Sequence, residues 1–293
     1  MTNTCGIILA GGNGTRLYPL TSVINKHLLP IYDKPMIFYP LSTLMMAGIR
    51  DIAIITRARD KELYYSLLGD GKNFGLKIRY LTQDNANGIP EAYVIAEEFI
   101  SERNVALILG DNIFVGQGLG KTLEISVDFK GARIFAFPVV NPQDYGVVTI
   151  DHNSKKILAL EEKPIDSKSN LAVPGLYFTD YRAIEFAKSL KPSPRGELEI
   201  SHLLDCYLKL GELEVSVFRR GIGWMDAGSI DSLYAANELV EVLQKRQGLR
   251  FACPEEIAWR NDWISNTELA QQATRYKATD YGIYLESLLA TEK

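Results

Sequence analysis

In Leu9-Ala10-Gly11-Gly12-Asn13-Gly14-Thr15-Arg16-Leu17 the glycines directly follow an apolar run at residues 5–10 that has the length and composition of a buried strand. Glycines after a strand let backbone N–H groups approach a polyphosphate closely, and Arg16 can clamp phosphate oxygens bidentately. Three glycines alone are equally compatible with a flexible strand-to-helix turn. Two better-known phosphate loops match poorly letter by letter, which leaves a P-loop ATPase a poor second. A dinucleotide fingerprint needs a third glycine where this chain has Leu17, which disfavours a hydride-transfer enzyme. A P-loop needs four residues between its glycine and the Gly-Lys pair. The nearest stretch, Gly116-Gln117-Gly118-Leu119-Gly120-Lys121-Thr122, is one residue short, with Val115 in the required glycine position.

Outward from this loop, β-branched runs predict strands at 5–10, 51–56, 77–81 and 105–109, alternating with helices at 38–47, 60–68 and 90–100. The first helix is opened by prolines and closed by Gly48. Such alternation reads as a largely parallel sheet covered by helices. From 133 to 178 the texture changes to closely spaced strand-like runs at 133–140, 146–150, 157–161 and 175–178. They are separated by turn residues such as Asn141-Pro142 and Asp151-His152-Asn153. This block reads as antiparallel, inserted into the first sheet or extending it. Helices at 181–190 and 197–210, a strand at 214–218 and a helical tail from Asp231 complete the pattern. In the tail, Leu233, Ala236, Val240 and Leu243 form one apolar stripe. There is no internal repeat, hence no appended left-handed β-helix, and no Gly/Ser- or Pro-rich linker divides the chain.

Composition narrows the function. The 293 residues are 46% hydrophobic, enough for a packed core, with 32 Lys and Arg against 36 Asp and Glu. The net charge of −4 supplies no excess of cations to coat a nucleic acid. The longest mostly apolar stretch, 36–49, carries Pro40, Ser42 and Thr43 and is too short to span a bilayer, and the first residues lack the basic region of a signal peptide. A cytoplasmic protein without membrane or nucleic-acid partners is expected. Cys5, Cys206 and Cys253 have no metal-ligand spacing and suit small buried positions in a reducing compartment. His27, His152 and His202 are too scattered for a histidine catalyst and read as surface or interface residues.

The glycine-rich stretch is the first of a series of motifs. Lys26-His27-Leu28-Leu29-Pro30, Asp33-Lys34-Pro35-Met36, Leu109-Gly110-Asp111-Asn112, Tyr145-Gly146-Val147 and Glu161-Glu162-Lys163-Pro164 follow it. Then come Lys191-Pro192-Ser193-Pro194-Arg195-Gly196-Glu197-Leu198-Glu199-Ile200 and Trp224-Met225-Asp226-Ala227-Gly228, and in the tail Arg246-Gln247-Gly248-Leu249 and Cys253-Pro254-Glu255-Glu256-Ile257-Ala258. In this order the series resembles the sugar-phosphate nucleotidyltransferases over nearly the whole chain. The resemblance implies a Rossmann-like α/β fold. It would have a mixed, mainly parallel sheet flanked by helices, a smaller antiparallel sugar-binding part and a C-terminal helical extension. It divides the chain into a catalytic domain at 1–240 (nucleotide part about 1–130, sugar part about 131–230) and an extension at 241–293.

The implied reaction is attack by glucose 1-phosphate on the α-phosphorus of dTTP, giving dTDP-glucose and pyrophosphate. A phosphate monoester is mostly ionised at neutral pH, so no Ser, Cys or His nucleophile is required. The obstacle is repulsion: two like charges at about 4 Å cost about 4 kcal/mol at an effective dielectric near 20. The resemblance assigns Arg16 to the triphosphate and departing pyrophosphate, Lys26 to the phosphates at the reacting centre and Lys163 to the sugar phosphate. Without those motif contexts each would read as a solvated surface charge. It assigns Mg²⁺ to Asp111 and Asp226, hard oxygen ligands of the kind that ion takes. Asp111 alone would read as a turn or cap residue, but its place beyond a strand's carboxyl end is where open α/β sheets bind ligands.

By the same resemblance Gly11, Gly14, Thr15, Gln83 and Gly88 join Arg16, Lys26 and Asp111 in holding the nucleotide. Gly146, Glu162, Val173, Tyr177 and Trp224 join Lys163 around the sugar. Taken singly, Gln83 reads as a surface residue, and Tyr177 and Trp224 as core packing. Family members are typically homotetramers inhibited by a downstream deoxysugar nucleotide, and the matching tail at 246–260 implies both for this chain.

Two departures stand out. After Gly88 the family runs Leu-Ala where this chain has Ile89-Pro90-Glu91-Ala92, and Pro90 is expected to re-aim the base loop. After Asp226 close relatives have Thr, Gly, Thr and His, where this chain has Ala227-Gly228-Ser229-Ile230. The same chemistry with UTP, and a catalytically silent sugar-nucleotide sensor, stay open as alternatives.

Overall fold

The computed structural model describes residues 3–85, 87–123, 129–151 and 156–290; the turn at His152-Asn153 lies outside them. Four parallel strands form the frame: β1 (Thr4–Ala10), β4 (Asp51–Thr56), β5 (Lys77–Thr82) and β6 (Asn104–Leu109). A short hairpin, β2 (Pro30–Ile31) with β3 (Lys34–Pro35), leads into α1 (Phe38–Met46), and α2 (Lys61–Leu68) follows β4. After β5 come α3 (Glu91–Ile95) and α4 (Glu97–Ile100), and after β6 come β7 (Asn112–Gly116) and α5 (Leu119–Leu123).

The middle of the chain supplies β8 (Ala132–Pro138), β9 (Gly146–Ile150), β10 (Ile157–Glu162), β11 (Leu171–Ala172) and β12 (Leu176–Thr179), then α6 (Ala183–Ser189), α7 (Ile200–Lys209), β13 (Leu213–Val217) and β14 (Ile222–Asp226). The antiparallel block extends the parallel frame through β12, which pairs with β6 on one side and β8 on the other. Among the described residues the sheet runs β10-β9-β11-β8-β12-β6-β1-β4-β5, with β13 parallel to β8. The tail is helical: α8 (Ile230–Gln247), α9 (Pro254–Arg260), α10 (Asn266–Arg275) and α11 (Asp280–Leu288). No described helix is long and apolar enough to cross a membrane.

Side chains alternate across a strand, so a strand covered on both faces must be apolar throughout. Ile8, Ile54 and Ile108 accordingly face α1 and the tail, and Ile7, Ile55 and Leu107 face Tyr93 of α3 and Leu203 and Tyr207 of α7. Helix α1 lies between the sheet and the tail, and all of it except Met46 is buried. Trp259 of α9 closes that layer, 2% exposed, with its indole N–H donating to Asn266 Oδ1 at 2.7 Å. A third core joins Leu17 and Ile31 to Ile113 of β7 and to Leu233, Ala236 and Val240 of the α8 stripe.

Three expectations change. Residues 90–100 form two short helices, because the chain tightens at Ala96, whose N–H bonds both Ala92 and Val94 carbonyls. The 181–190 helix starts at Ala183, because the Asp180 carboxylate accepts from the Arg182 N–H and holds a turn there. The 197–210 helix starts at Ile200, because Leu198 is drawn into a bridge with Gly88. Trp259→Ala is expected to destabilise the chain by about 3–5 kcal/mol, read as a lowered denaturant midpoint with the m-value unchanged.

Candidate active site

The carboxyl ends of β1, β5 and β6 open into a cavity of about 390 Å³, within the range of ligand pockets. The glycine-rich loop leaves β1 and closes into a 3-10 turn at Thr15–Leu17, with Leu17 buried and Arg16 in the cavity wall. A second 3-10 turn, Lys26–Leu28, presents Lys26. Beneath both turns Asn25 is buried. Its amide donates to the Ala10 carbonyl at 3.1 Å and to Asp60 Oδ2 at 2.9 Å, and Asp60 also accepts from Arg57 Nε at 2.6 Å. The Asn25 oxygen accepts from the His27 N–H at 3.1 Å and lies 2.8 Å from His27 Nδ1. That oxygen has no proton to give, so the imidazole proton sits on Nδ1. His27 is therefore not the surface residue its sequence context suggested: it is 1% exposed and part of the scaffold that holds Lys26. Burial, followed by the Lys26 charge, lowers its pKa to about 3.

The two aspartates arrive from distant segments through one antiparallel ribbon. Strand β7 pairs with β14 so that Asn112 stands opposite Asp226, and the Ala227 N–H donates to the Asp111 carbonyl at 2.9 Å. Asn112 ties the ribbon down: its Oδ1 accepts from Trp224 Nε1 at 2.7 Å and from the Gly175 N–H at 2.9 Å, and its amide donates to Asp111 Oδ1 at 3.2 Å. Lys26 Nζ is ion-paired with Asp111 Oδ2. Burial by itself would raise the Asp111 carboxyl, but Lys26, His27 and the hydrogen bonds from Lys26 and Asn112 together hold it well below the usual range. Asp226 goes the other way, pushed up to about 6 by burial and by the charge on Asp111, against the pull of Lys26 and Arg16. Its Oδ1 is buried and has no hydrogen-bond partner among the described residues.

That arrangement fits a divalent cation. Among the described residues no cluster of three or more His, Cys, Asp or Glu side chains makes a protein-only metal cage. Two converging carboxylates, one with an orphaned oxygen, leave the other positions to phosphate and water, as Mg²⁺ prefers.

The remaining walls hold the other residues singled out from the sequence. Gln83, Gly88, Gly146, Glu162, Lys163, Val173, Tyr177 and Trp224 all line the cavity. Gln83 is 4% exposed, no surface residue. Gly88 has φ 116°, and a Cβ there would stand 2.1 Å from the Leu198 carbonyl oxygen, so only glycine lets the loop after β5 meet the 191–200 segment. Tyr177 and Trp224 serve core and pocket alike: both are buried, and Trp224 meets Tyr145 edge-on at 5.0 Å. Lys163 has φ 45°, uncommon for a residue with a side chain, and its N–H donates to the Tyr145 carbonyl at 3.1 Å. Gly11, Gly14 and Thr15 do not line the cavity and shape the loop behind it.

Sequence reasoning passed over Arg195, Asn112 and Tyr145, which also line the cavity. Arg195 grips Glu199 at 2.8 and 3.1 Å and approaches Glu162 at 3.6 Å. Burial and the Glu199 charge raise the Glu162 carboxyl, and Arg195 and Lys163 oppose them. The four-residue spacing of Arg195 and Glu199 was the available signal.

Residues 5–242 match the Nucleotidyl transferase family model, and the chain belongs to that family. It is 52% identical over 285 residues to the glucose-1-phosphate thymidylyltransferase of Neisseria meningitidis serogroup A, covering 97% of this chain and 99% of that one. To the Mycobacterium tuberculosis H37Rv protein of the same name it is 52% identical over 284 residues, covering 97% and 98%. A crystal structure described as a Bacillus anthracis glucose-1-phosphate thymidylyltransferase in complex with a sucrose superposes with TM-score 0.74 at 42% identity, covering 80% of this chain and 94% of that one. A UDP-glucose pyrophosphorylase complexed with UDP-glucose gives TM-score 0.72 at 25% identity, covering 84% and 100%.

The buried neutral His27 has a pH signature. Its folded pKa lies below the unfolded value of 6.5, so its contribution to stability is full above pH 6.5 and is lost as pH falls toward about 3. His27→Gln is expected to flatten the fall of unfolding free energy across that window, by at most about 1.4 kcal/mol per pH unit, measured by denaturant titration at successive pH values.

Proposed function

We propose that the chain transfers a thymidylyl group from dTTP to glucose 1-phosphate, releasing pyrophosphate and dTDP-glucose. The observation that carries this reading is the convergence of Arg16, Lys26, Asp111 and Asp226 with Glu162, Lys163 and Tyr177 in the lining of one cavity. The near-full-length likeness to thymidylyltransferases supports the choice of substrates.

An oxygen of the sugar phosphate forms the new bond to the α-phosphorus, and the bond from that phosphorus to the bridging oxygen of the β-phosphate breaks. The electron pair leaves with pyrophosphate, and no proton need move. Lys163 draws the sugar phosphate in. Arg16 holds the triphosphate and takes up charge on the leaving pyrophosphate. Lys26, ion-paired with Asp111, turns to the phosphates as they enter. A divalent cation, which we take to be Mg²⁺, supplies charge neutralisation at the phosphate oxygens when bound by Asp111 and Asp226. Glu162 accepts from sugar hydroxyls, and Gly146, Val173, Tyr177 and Trp224 shape the space around the ring. The same reading takes in the two-part division at 240/241, a homotetramer and inhibition by a deoxysugar nucleotide, which rest on the resemblance, and a cytoplasmic location, which rests on the first residues and the cysteines.

Pyrophosphate release from glucose 1-phosphate with dTTP or UTP, each with Mg²⁺ and with chelator, tests the assignment. Metal-dependent turnover favouring dTTP is expected. A UTP preference would keep the chemistry and reassign the base, and a folded sample that turns over neither would favour a sugar-nucleotide sensor. Lys163→Ala is expected to raise KM for glucose 1-phosphate at least tenfold more than KM for dTTP; equal losses would place Lys163 in the wrong role.

A further inference from the structure

The base wall of the cavity contains a fixed amide. Gln83 is almost fully buried at the end of β5, and its Nε2 donates to Glu91 Oε2 at 2.6 Å. The other oxygen of Glu91 accepts from Asn87 Nδ2 at 2.7 Å. A carboxylate has no proton to give, so it dictates which end of each amide faces it. The Gln83 nitrogen must point at Glu91 and the Gln83 oxygen away from it. That oxygen lies against the glycine-rich loop, where a Cβ on Gly11 would stand 2.5 Å from it, and among the described residues it receives no hydrogen bond.

We propose that Glu91 is a positioning residue that locks Gln83 as a hydrogen-bond acceptor toward the nucleotide base and so selects bases bearing an N3–H. Thymine and uracil carry that proton. Cytosine presents a lone pair at N3, which against the Gln83 oxygen sets acceptor against acceptor. An amide free to rotate would meet either base, offering oxygen to one and nitrogen to the other. Glu91 removes that freedom, so discrimination comes from a buried polar group left unpaired by the wrong base. Thymine and uracil share the N3–H, so the device separates both from cytosine and does not separate them from each other.

This inference rests on the nucleotidyl-transfer reading, and its test keeps the two apart. Initial rates of pyrophosphate release with glucose 1-phosphate would be measured with dTTP, dUTP and dCTP, for the wild type, Glu91→Ala and the conservative Glu91→Gln. The wild type is expected to favour dTTP and dUTP over dCTP. In Glu91→Ala the dTTP-to-dCTP ratio of kcat/KM is expected to fall by about tenfold or more, with the dTTP-to-dUTP ratio unchanged. Glu91→Gln, which can turn either end to Gln83, is expected to fall between. Equal losses with all three nucleotides, or no change, would make Glu91 a structural residue and overturn the proposal, as would a wild type that favours dCTP. A wild type active with none of the three would sink the functional reading itself.

Discussion

The register of the β7–β14 ribbon is the constraint on which the site depends. Asp111 and Asp226 stand more than a hundred residues apart in sequence, and the pairing of Asn112 with Asp226 makes them neighbours. A slip of one residue would reverse the face of every side chain on β14 and send Asp226 away from Asp111. The ribbon is short and lies outside the main sheet, so its own ladder is weak support. Asn112 compensates by joining both strands and the Gly175 turn through side-chain hydrogen bonds. Ser229 caps α8 immediately after the Asp226 motif, with its side chain and that of Ser232 bonded reciprocally to backbone N–H groups, so the strand end cannot fray.

Two carboxylates held this close store electrostatic cost. Lys26 relieves it fully at Asp111, whereas at Asp226 the pull of Lys26 and Arg16 offsets it only in part and Oδ1 has no hydrogen-bond partner among the described residues. The strain is local and depends on a scaffold that cannot relax. Asn25 and Asp60 pin the Lys26 turn to Ala10 and to the segment after β4, and Leu17 anchors the glycine-rich loop in the core shared with α8. The tail continues this support: Asn237 Oδ1 accepts from the Tyr32 N–H at 2.6 Å, and Arg250 pairs with Asp33 at 2.7 Å, so the hairpin after Lys26 is held from outside the sheet. The close approach of Gly88 to Leu198 joins the loop after β5 to the segment that carries Arg195 and Glu199.

Much of this was legible in the sequence. Strands buried on both faces must be apolar throughout, which is why β1, β4 and β6 announced themselves, and helices with one buried stripe, such as α8, were equally plain. Most of the residues chosen for the site face one cavity because the motifs that carry them sit at strand ends. What stayed hidden depends on contacts between distant segments. Residues 112–116 follow a strong strand too closely to read as another, and their partner lies far along the chain. That the helix begins only at Ile200 follows from the bridge of Leu198 with Gly88, not from local propensity. His27 looked like a surface histidine because sequence does not reveal that Asn25 turns back to meet it.

The most direct test of the account is calorimetric titration of Mg²⁺ into the protein saturated with a non-hydrolysable dTTP analogue, comparing the wild type with Asp111→Asn and Asp226→Asn. If the ribbon brings the aspartates together to share a cation with the triphosphate, each substitution weakens Mg²⁺ binding by about tenfold or more, and the double substitution costs no more than about the product of the two. Unchanged Mg²⁺ affinity in both single variants, with the fold intact, would contradict it.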